Sequence, residues 1–172
     1  MFTAFFLQKK LAEELKKIFK GFCYPNCDGG MQEPNIFEQF LPLVDVKELA
    51  DDQEGQGSGL FQCQREELPP APYIQVILLE GKTSVVDEPG VVDVLLHICA
   101  FDESKKRIGY QHLINIMQKV QERFQKDFML DNYKCSKEIE WALADTEDHP
   151  FYFGVMAMSF EIMAVRKESE YL

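Results

Sequence analysis

The pattern of apolar and polar residues predicts a hairpin followed by a long helix in the middle of the chain. Two apolar, β-branched runs, residues 73–80 and 91–101, flank the turn-rich segment 81–90, which is typical of a hairpin with a long loop. From Ile108 onward, apolar residues recur at spacings of three and four, as on one side of a helix: Leu113, Ile116, Met117, Val120, Phe124 and Phe128. A hairpin and a helix that each have one apolar side predict a layered α+β core.

A second helix is predicted at the start of the chain. Thr3 can cap it and Gly21 can end it, and Lys16, Lys17 and Lys20 lie near the negative end of its dipole. Its apolar stripe consists of Ala4, Leu7, Leu11, Leu15, Ile18 and Phe22. We expect this stripe to pack on the sheet; a membrane surface and a contact between subunits are the alternatives.

Three further segments have the pattern of strands. Residues 35–41, which precede Pro42, are typical of a short edge strand. Residues 139–143 and 151–165 alternate between apolar and other side chains. In the last segment, one face is predicted to consist of Tyr152, Met156, Met158, Phe160 and Ile162. We therefore predict an antiparallel sheet of about four to five strands, with two main helices, one N-terminal and one central, packed on it.

The length of 172 residues fits a single domain, residues 1–172. Within it, the composition changes between residues 45 and 72, where an acidic, glycine-rich run is followed by the proline-rich run 68–72. We interpret residues 45–72 as an acidic, Gly/Pro-rich inserted loop, and loops of this length are usually mobile or used in binding. Residues 166–172 are predicted to be a solvated C-terminal tail.

Charge is distributed unevenly along the chain. The net charge is −11, which argues against nucleic-acid binding, because that depends on Lys and Arg neutralising phosphates. Residues 1–20 carry five Lys and two Glu, whereas residues 21–100 carry three basic and fourteen acidic residues. We therefore expect a charged partner to meet the acidic middle of the chain.

The odd cysteine count of five and the N-terminal residues predict a cytoplasmic protein with reduced thiols. Residues 1–7 lack the basic region of a secretory leader, and Lys9 and Lys10 interrupt the apolar run. No apolar run approaches the roughly 18 residues that a membrane span requires.

A metal site is the first candidate for chemistry. Cys23 and Cys27 could bind a metal together with Cys63 or His97. Structural zinc sites usually contain two closely spaced pairs of ligands, and the second pair is missing here. Small thiols without a ligand are the simpler interpretation, so we predict no metal and no cofactor.

Catalytic patterns are equally weak. His97 is placed within a strand, His112 near the start of a helix and His149 in a loop, and no nucleophile motif surrounds them. Paired acids at residues 51–52, 66–67 and 87–88 fall in predicted loops, where nothing apolar would raise a carboxyl pKa. The chain lacks the glycine patterns of nucleotide-binding loops. We therefore predict a protein that is not an enzyme.

The order of these elements resembles the small tail proteins of long-tailed bacteriophages and prophages, and within them the tail-terminator and neck or tail-completion group. The segments that carry the resemblance are residues 36–42, the acidic spacer, 72–78, 100–102, Gly109–Tyr110 at the start of the long helix, and the closing segment 150–162. The resemblance implies a non-enzymatic minor tail protein that forms a ring, usually a hexamer, at the end of the tail tube. Implied partners are copies of itself, the tail tube protein and the head-completion protein. Its implied location is the bacterial cytoplasm and then the virion tail.

A ring requires contacts between subunits, and mobile segments that become ordered on assembly can provide them. We expect the hairpin loop and the acidic spacer to make contacts between subunits or with the tail tube through Lys82, Thr83, Ser84, Asp87, Glu88, Asp51, Asp52 and Glu54. The alternatives are a small cytosolic ligand-binding or regulatory domain, and a metal-dependent enzyme or sensor built around Cys23 and Cys27.

Overall fold

The computed structural model describes residues 3–42, 71–83 and 88–162, which form two helices and eight strands. Helix α1 spans Ala4–Ile18 and helix α2 spans Gly109–Lys126. The strands are β1 (Tyr24–Pro25), β2 (Met31–Gln32), β3 (Asn35–Glu38), β4 (Tyr73–Lys82), β5 (Gly90–Phe101), β6 (Met129–Leu130), β7 (Tyr133–Leu143) and β8 (Phe151–Ile162). Most of the predicted loop 45–72 and the whole predicted tail 166–172 lie outside the described residues.

The α+β class and the two main helices are confirmed, but the predicted strand count of four to five is wrong. The main sheet of the described chain has six strands in the order β3-β4-β5-β8-β7-β6, and β1 and β2 form a separate two-stranded sheet. Strands β1, β2 and β6 have only two residues each, which is too short to produce a recognisable alternation. The sheet is also mixed, because β3 pairs with β4 in parallel.

Both helices end earlier than the apolar pattern predicted. Thr3 caps α1 as predicted, since its hydroxyl oxygen accepts a hydrogen bond from the Phe6 amide. Helix α1 ends at Ile18, however, and Phe22 is exposed; helix α2 ends at Lys126, and Phe128 is exposed. These phenylalanines continue the spacing of the apolar residues beyond the last turn of each helix, so periodicity alone misplaces the helix ends.

The core lies between the two helices and one face of the sheet, which we call the inner face. Helix α1 packs mainly on β3 and β4, and α2 packs on β5, β8 and β7. The last predicted strand face is confirmed for β8, where Met156, Met158 and Phe160 are buried against the helices. The helices are also joined by the guanidinium of Arg123, which donates to the carboxylate of Glu14.

A network of glutamines fixes α1 to the sheet edge. The chain turns away after β3 at Gln39, which has a φ of 60°. Its side-chain amide then makes the two hydrogen bonds to Leu78 that a neighbouring strand would make. Oε1 accepts from the Leu78 amide at 2.9 Å, and Nε2 donates to the Leu78 carbonyl at 3.3 Å. The buried Gln8 of α1 donates to both Gln39 Oε1 at 3.0 Å and the Val76 carbonyl at 2.8 Å. The helix therefore has one fixed position over β4, and its opposite side faces outward.

Substitution of Gly109 tests how closely the start of helix α2 approaches the sheet. Gly109 lies against the ring of Tyr152, and a Cβ atom there would overlap the ring edge and lie 3.0 Å from the Asp102 Cβ. We expect Gly109→Ala to lower the free energy of unfolding, because overpacking costs about 1 to 3 kcal/mol whereas the gain in helix propensity is at most about 1 kcal/mol. Chemical denaturation measures this change.

Gly81→Ala is the matched control. The nearest atom to a Cβ at Gly81 is Val92 Cγ2 at 3.8 Å, which is an ordinary contact. We expect a change within about 0.5 kcal/mol for this variant. Equal stability of the two variants would contradict the close approach of α2 to Tyr152.

Candidate interaction surface

The face of the sheet opposite the helices, which we call the outer face, is partly apolar. The strand registers place Ile77 of β4, Leu95 of β5 and Ala157 of β8 side by side on it, with Val155 next to them. These four residues, the outer patch, are half-buried, and within the described ranges both helices lie on the other side of the sheet. An apolar sheet face of this kind is typical of a surface that another element covers.

Carboxylates border the outer patch. A shallow cavity of about 370 Å³ is lined by Asp93, Glu138 and Glu140 together with Ala157 of the patch. Asp93 accepts a hydrogen bond from the Ser159 hydroxyl at 2.6 Å, whereas Glu138 and Glu140 are exposed. None of these three carboxylates forms an ion pair with a described residue. We call them the acidic rim.

The lysines on the outer face do not neutralise this rim. Lys82 Nζ lies 3.7 Å from Glu80, and Lys134 Nζ lies 3.1 Å from Glu161. Each of these two lysines is therefore matched by its own carboxylate. Lys137 of β7 is exposed and forms no ion pair with a described residue, so it offsets one of the three charges of the acidic rim. A partner for this face would need apolar groups with positive charges at its margin.

One end of the outer face is closed by aromatic rings. Tyr73, His97 and Phe153 follow one another across β4, β5 and β8, with ring centroids 6.2 Å and then 5.7 Å apart, and the last two rings are parallel within 1°. Phe37 and Phe151 continue the row at either end. The row forms a second small core with Cys99, which is fully buried. Among residues 3–42, 71–83 and 88–162, the part of this face that nothing covers therefore lies at the other end, around the outer patch.

Stability should depend on pH through His97. Burial lowers the pKa of His97, while its usual value in an unfolded chain is about 6.5. Below about pH 6.5 the unfolded chain binds a proton that the folded chain does not, so the free energy of unfolding should fall. The free energy of unfolding should stop falling once the pH is below the pKa of His97 in the folded chain.

His97→Phe isolates this effect, since it keeps a ring on Phe153 and removes the titrating group. The groups that face His97 from neighbouring strands, Tyr73 and Phe153, stay neutral in this range. We expect the wild-type chain to lose more stability than the variant between about pH 8 and about pH 5 in urea titrations. If the wild-type chain and the variant lost equal stability over this range, His97 would be protonated equally in the folded and unfolded chains, which would contradict the prediction.

A second exposed surface lies on the outward side of α1. Glu13 lies on this side of the helix and pairs with Lys10, whose Nζ is 3.7 Å from its carboxylate. Phe5, Lys9 and Lys16 recur at spacings of 4 and 7 along the same line of the helix, and Lys20 follows two residues after the helix ends. All four are exposed, and Phe5 and its neighbour Phe6 expose 54% and 49% of their surfaces. Lys9 Nζ lies 4.6 Å from the Phe5 ring centroid, and none of the three lysines pairs with a described carboxylate. We call these four residues the lysine stripe.

A smaller apolar groove lies where α2 meets β7. It has a volume of about 230 Å³ and is lined by Ile114, Met117, Gln118, Gln121 and Trp141. Trp141 is 52% exposed. Strand β6 pairs only with the first residues of β7, at Tyr133 and Lys134. At Trp141, β7 therefore pairs with β8 on one edge, and no described strand borders its other edge.

The interface residues predicted from the sequence are only partly described. Lys82 ends β4, and Thr83 and Glu88 lie in the exposed ends of the hairpin loop. Strand pairing extends further than predicted, from Gly81 and Lys82 across to Val92 and Val91. The other predicted contacts, Ser84, Asp87, Asp51, Asp52 and Glu54, lie outside the described residues, so the proposed role of both loops stays a prediction.

The cysteines and histidines are not gathered into one site. Cys23 and Cys27 are exposed, and no three potential metal ligands cluster among the residues that the structure describes. Burial raises the pKa of Cys99 to about 12, with a further contribution from Cys27, and raises that of Cys135 to about 11. The buried thiols are therefore protonated and unreactive at neutral pH.

Each histidine contacts an aromatic ring. His97 stacks on Phe153, and the His112 ring lies 6.2 Å from that of Tyr24. His149 Nδ1 lies 3.3 Å from the Tyr152 hydroxyl. Aromatic packing therefore accounts for their positions.

The outer patch and the lysine stripe were missed in the sequence because each is formed by the less apolar side of an element. The signals were present: alternate residues of β4, β5 and β8 are apolar on both faces, and two lysines share one helical line with Phe5.

Comparison with models of protein families and with curated proteins gives no match. Neither described helix is apolar enough over its length to cross a bilayer.

Proposed function

We propose that the chain is a structural tail-assembly protein of a long-tailed bacteriophage or prophage. It acts as a tail terminator or a neck or tail-completion protein, and it forms a ring, with six copies as in the group it resembles, at the end of the tail tube. It performs no catalysis. Its partners are its own copies, the tail tube protein and a head-completion protein, and it passes from the bacterial cytoplasm into the virion tail.

The observation that carries this proposal is the outer patch. In the part of the chain that the structure describes, helices cover one face of the sheet and the other face stays partly apolar. Association with another protein would cover this second face. The described cavities are shallow and lack a paired nucleophile and base, which fits a protein that acts by its shape. The element order adds the resemblance to tail proteins.

Electron microscopy of tails tests the proposal directly. The gene is deleted from the phage or prophage, and tails are purified after induction. We expect tubes of variable and excessive length without attached heads, and we expect normal particles when the intact gene is supplied in trans. Addition of purified protein to the mutant tubes should place a ring at one end. Normal tails from the deletion strain would refute the proposed role.

One observation favours the alternative of a ligand-binding domain. The cavity between Asp93, Glu138 and Glu140 gathers polar groups on the outer face, as a site for a small cationic ligand would. Isothermal titration with spermidine distinguishes the two functions. Saturable binding that Glu138→Gln/Glu140→Gln removes would favour a ligand site, and no binding would leave the cavity as part of a protein contact.

A further inference from the structure

We propose that the outer face of one copy receives the lysine stripe of a neighbouring copy, and that this contact joins the subunits of the ring. The inference rests on the proposed function only for the closing of the ring; the contact itself is argued from the two surfaces. The occupant of the outer patch is therefore a second copy of this chain.

Charge complementarity identifies the occupant. The outer face combines an apolar centre with the carboxylates Asp93, Glu138 and Glu140, none of which has a cationic partner among the described residues. The lysine stripe combines the exposed ring of Phe5 with three lysines that likewise lack a described acidic partner. Phe5 would cover the patch, and the lysines would reach the acidic rim.

The shapes of the two surfaces also match. The sheet already accepts helices on its inner face, so a helix on the outer face would complete a three-layer arrangement. Within α1 the lysine stripe runs from Phe5 to Lys16, twelve residues, which is about 18 Å along a helix. The outer face is four long strands wide, about 19 Å at the usual strand spacing. One helix can therefore lie across the width of the face.

The positions of the surfaces determine the type of assembly. The lysine stripe lies on the helical layer and the outer patch lies on the opposite side of the sheet, so the contact is heterologous and each copy offers one of each surface. Such contacts generate rings or filaments. Two outer faces meeting each other would instead oppose like charges, which disfavours a two-fold dimer.

Two charge-reversal variants test the contact. In the acidic-helix variant, Lys9, Lys16 and Lys20 are changed to Glu; in the basic-face variant, Glu138 and Glu140 are changed to Lys. All five residues are exposed, so both variants should fold, which circular dichroism verifies. The control variant, Glu103→Lys with Glu122→Lys, changes the net charge as the basic-face variant does but lies on neither surface.

Sedimentation velocity measures association over protein concentrations up to about 1 mM. We expect the wild-type chain and the control to self-associate, and each reversal variant to associate about tenfold or more weakly. An equimolar mixture of the two variants should recover assembly, because each acidic helix can meet a basic face and each basic helix an acidic face. Any closed ring in that mixture must alternate the two variants and contain an even number of copies, which native mass spectrometry detects.

Several results would overturn the contact. A wild-type chain that stays monomeric throughout, or variants that associate as the wild type does, would do so. The acidic-helix variant could associate more weakly while the basic-face variant associates as the wild type does. That result would show that the stripe meets another surface, such as the acidic residues of segment 43–70.

Failure of this contact can be told apart from failure of the proposed function. If the variants lose association while the deletion strain makes normal tails, the contact stands and the tail role falls. If the deletion strain makes defective tails that the reversal variants repair fully, the tail role stands and the contact falls.

Discussion

Phe160→Ala should lower the free energy of unfolding by about 3 to 5 kcal/mol. Phe160 is fully buried on β8, and its ring meets that of Phe124 in α2 edge to face, with centroids 5.7 Å apart. Its strand neighbours, Val92 and Cys135, are also buried, so the backbone on both sides is held in place and cannot collapse into the space. Urea denaturation followed by circular dichroism measures the loss.

The control for this variant lies on the same strand. Phe153→Ala removes the same atoms from the outer face, where the ring is half-exposed and stacks on His97. We expect it to cost about 1 to 2 kcal/mol, because less apolar surface returns to water and one ring contact is lost. If the two variants were equally unstable, the assignment of inner and outer faces would be wrong.

Gln39→Ala should lower the free energy of unfolding by about 2 to 3 kcal/mol. The substitution removes three hydrogen bonds of the side-chain amide and leaves the Leu78 amide without its acceptor. Gln8, which holds α1 on the sheet, keeps only its hydrogen bond to the Val76 carbonyl in this variant. Hydrogen exchange should show faster exchange of the Leu78 amide in this variant, and denaturation measures the global loss.

Gln39→Gly separates the hydrogen bonds from the backbone. It removes the same amide, but glycine adopts a φ of 60° without the steric cost that alanine incurs. We expect the glycine variant to be about 1 kcal/mol more stable than the alanine variant and still less stable than the wild-type chain. A glycine variant as stable as the wild type would mean that the network contributes no more than the roughly 1 kcal/mol that glycine recovers in the backbone.

The long elements could be predicted from the sequence because their periodicity is set by the core. The apolar residues of α2 and the alternation in β5 and β8 contact one another directly, so the pattern and the structure have the same cause. One edge of the sheet was predicted and the other was missed. The predicted edge strand 35–41 corresponds to β3, which pairs with β4, whereas β6 consists of two residues and carries no pattern of its own.

The candidate surface could not be predicted because it depends on which residues meet across strands. Ile77, Leu95 and Ala157 are far apart in the chain and become neighbours only through the order β4-β5-β8. The net charge summed over segments of the sequence is most negative in residues 21–100, so the sequence points to a different acidic region. Glu138 and Glu140, which border the patch, come from a later segment.

The position of β8 in the sheet has a consequence for synthesis. It follows the other strands of the described chain in sequence, yet it pairs with β5 on one side and β7 on the other. Until residues 151–162 have left the ribosome, the sheet remains in two separate halves, and the hydrogen-bonding groups that β8 will pair are unmatched on both. A nascent chain that stalls before this point would be a substrate for chaperones and proteases.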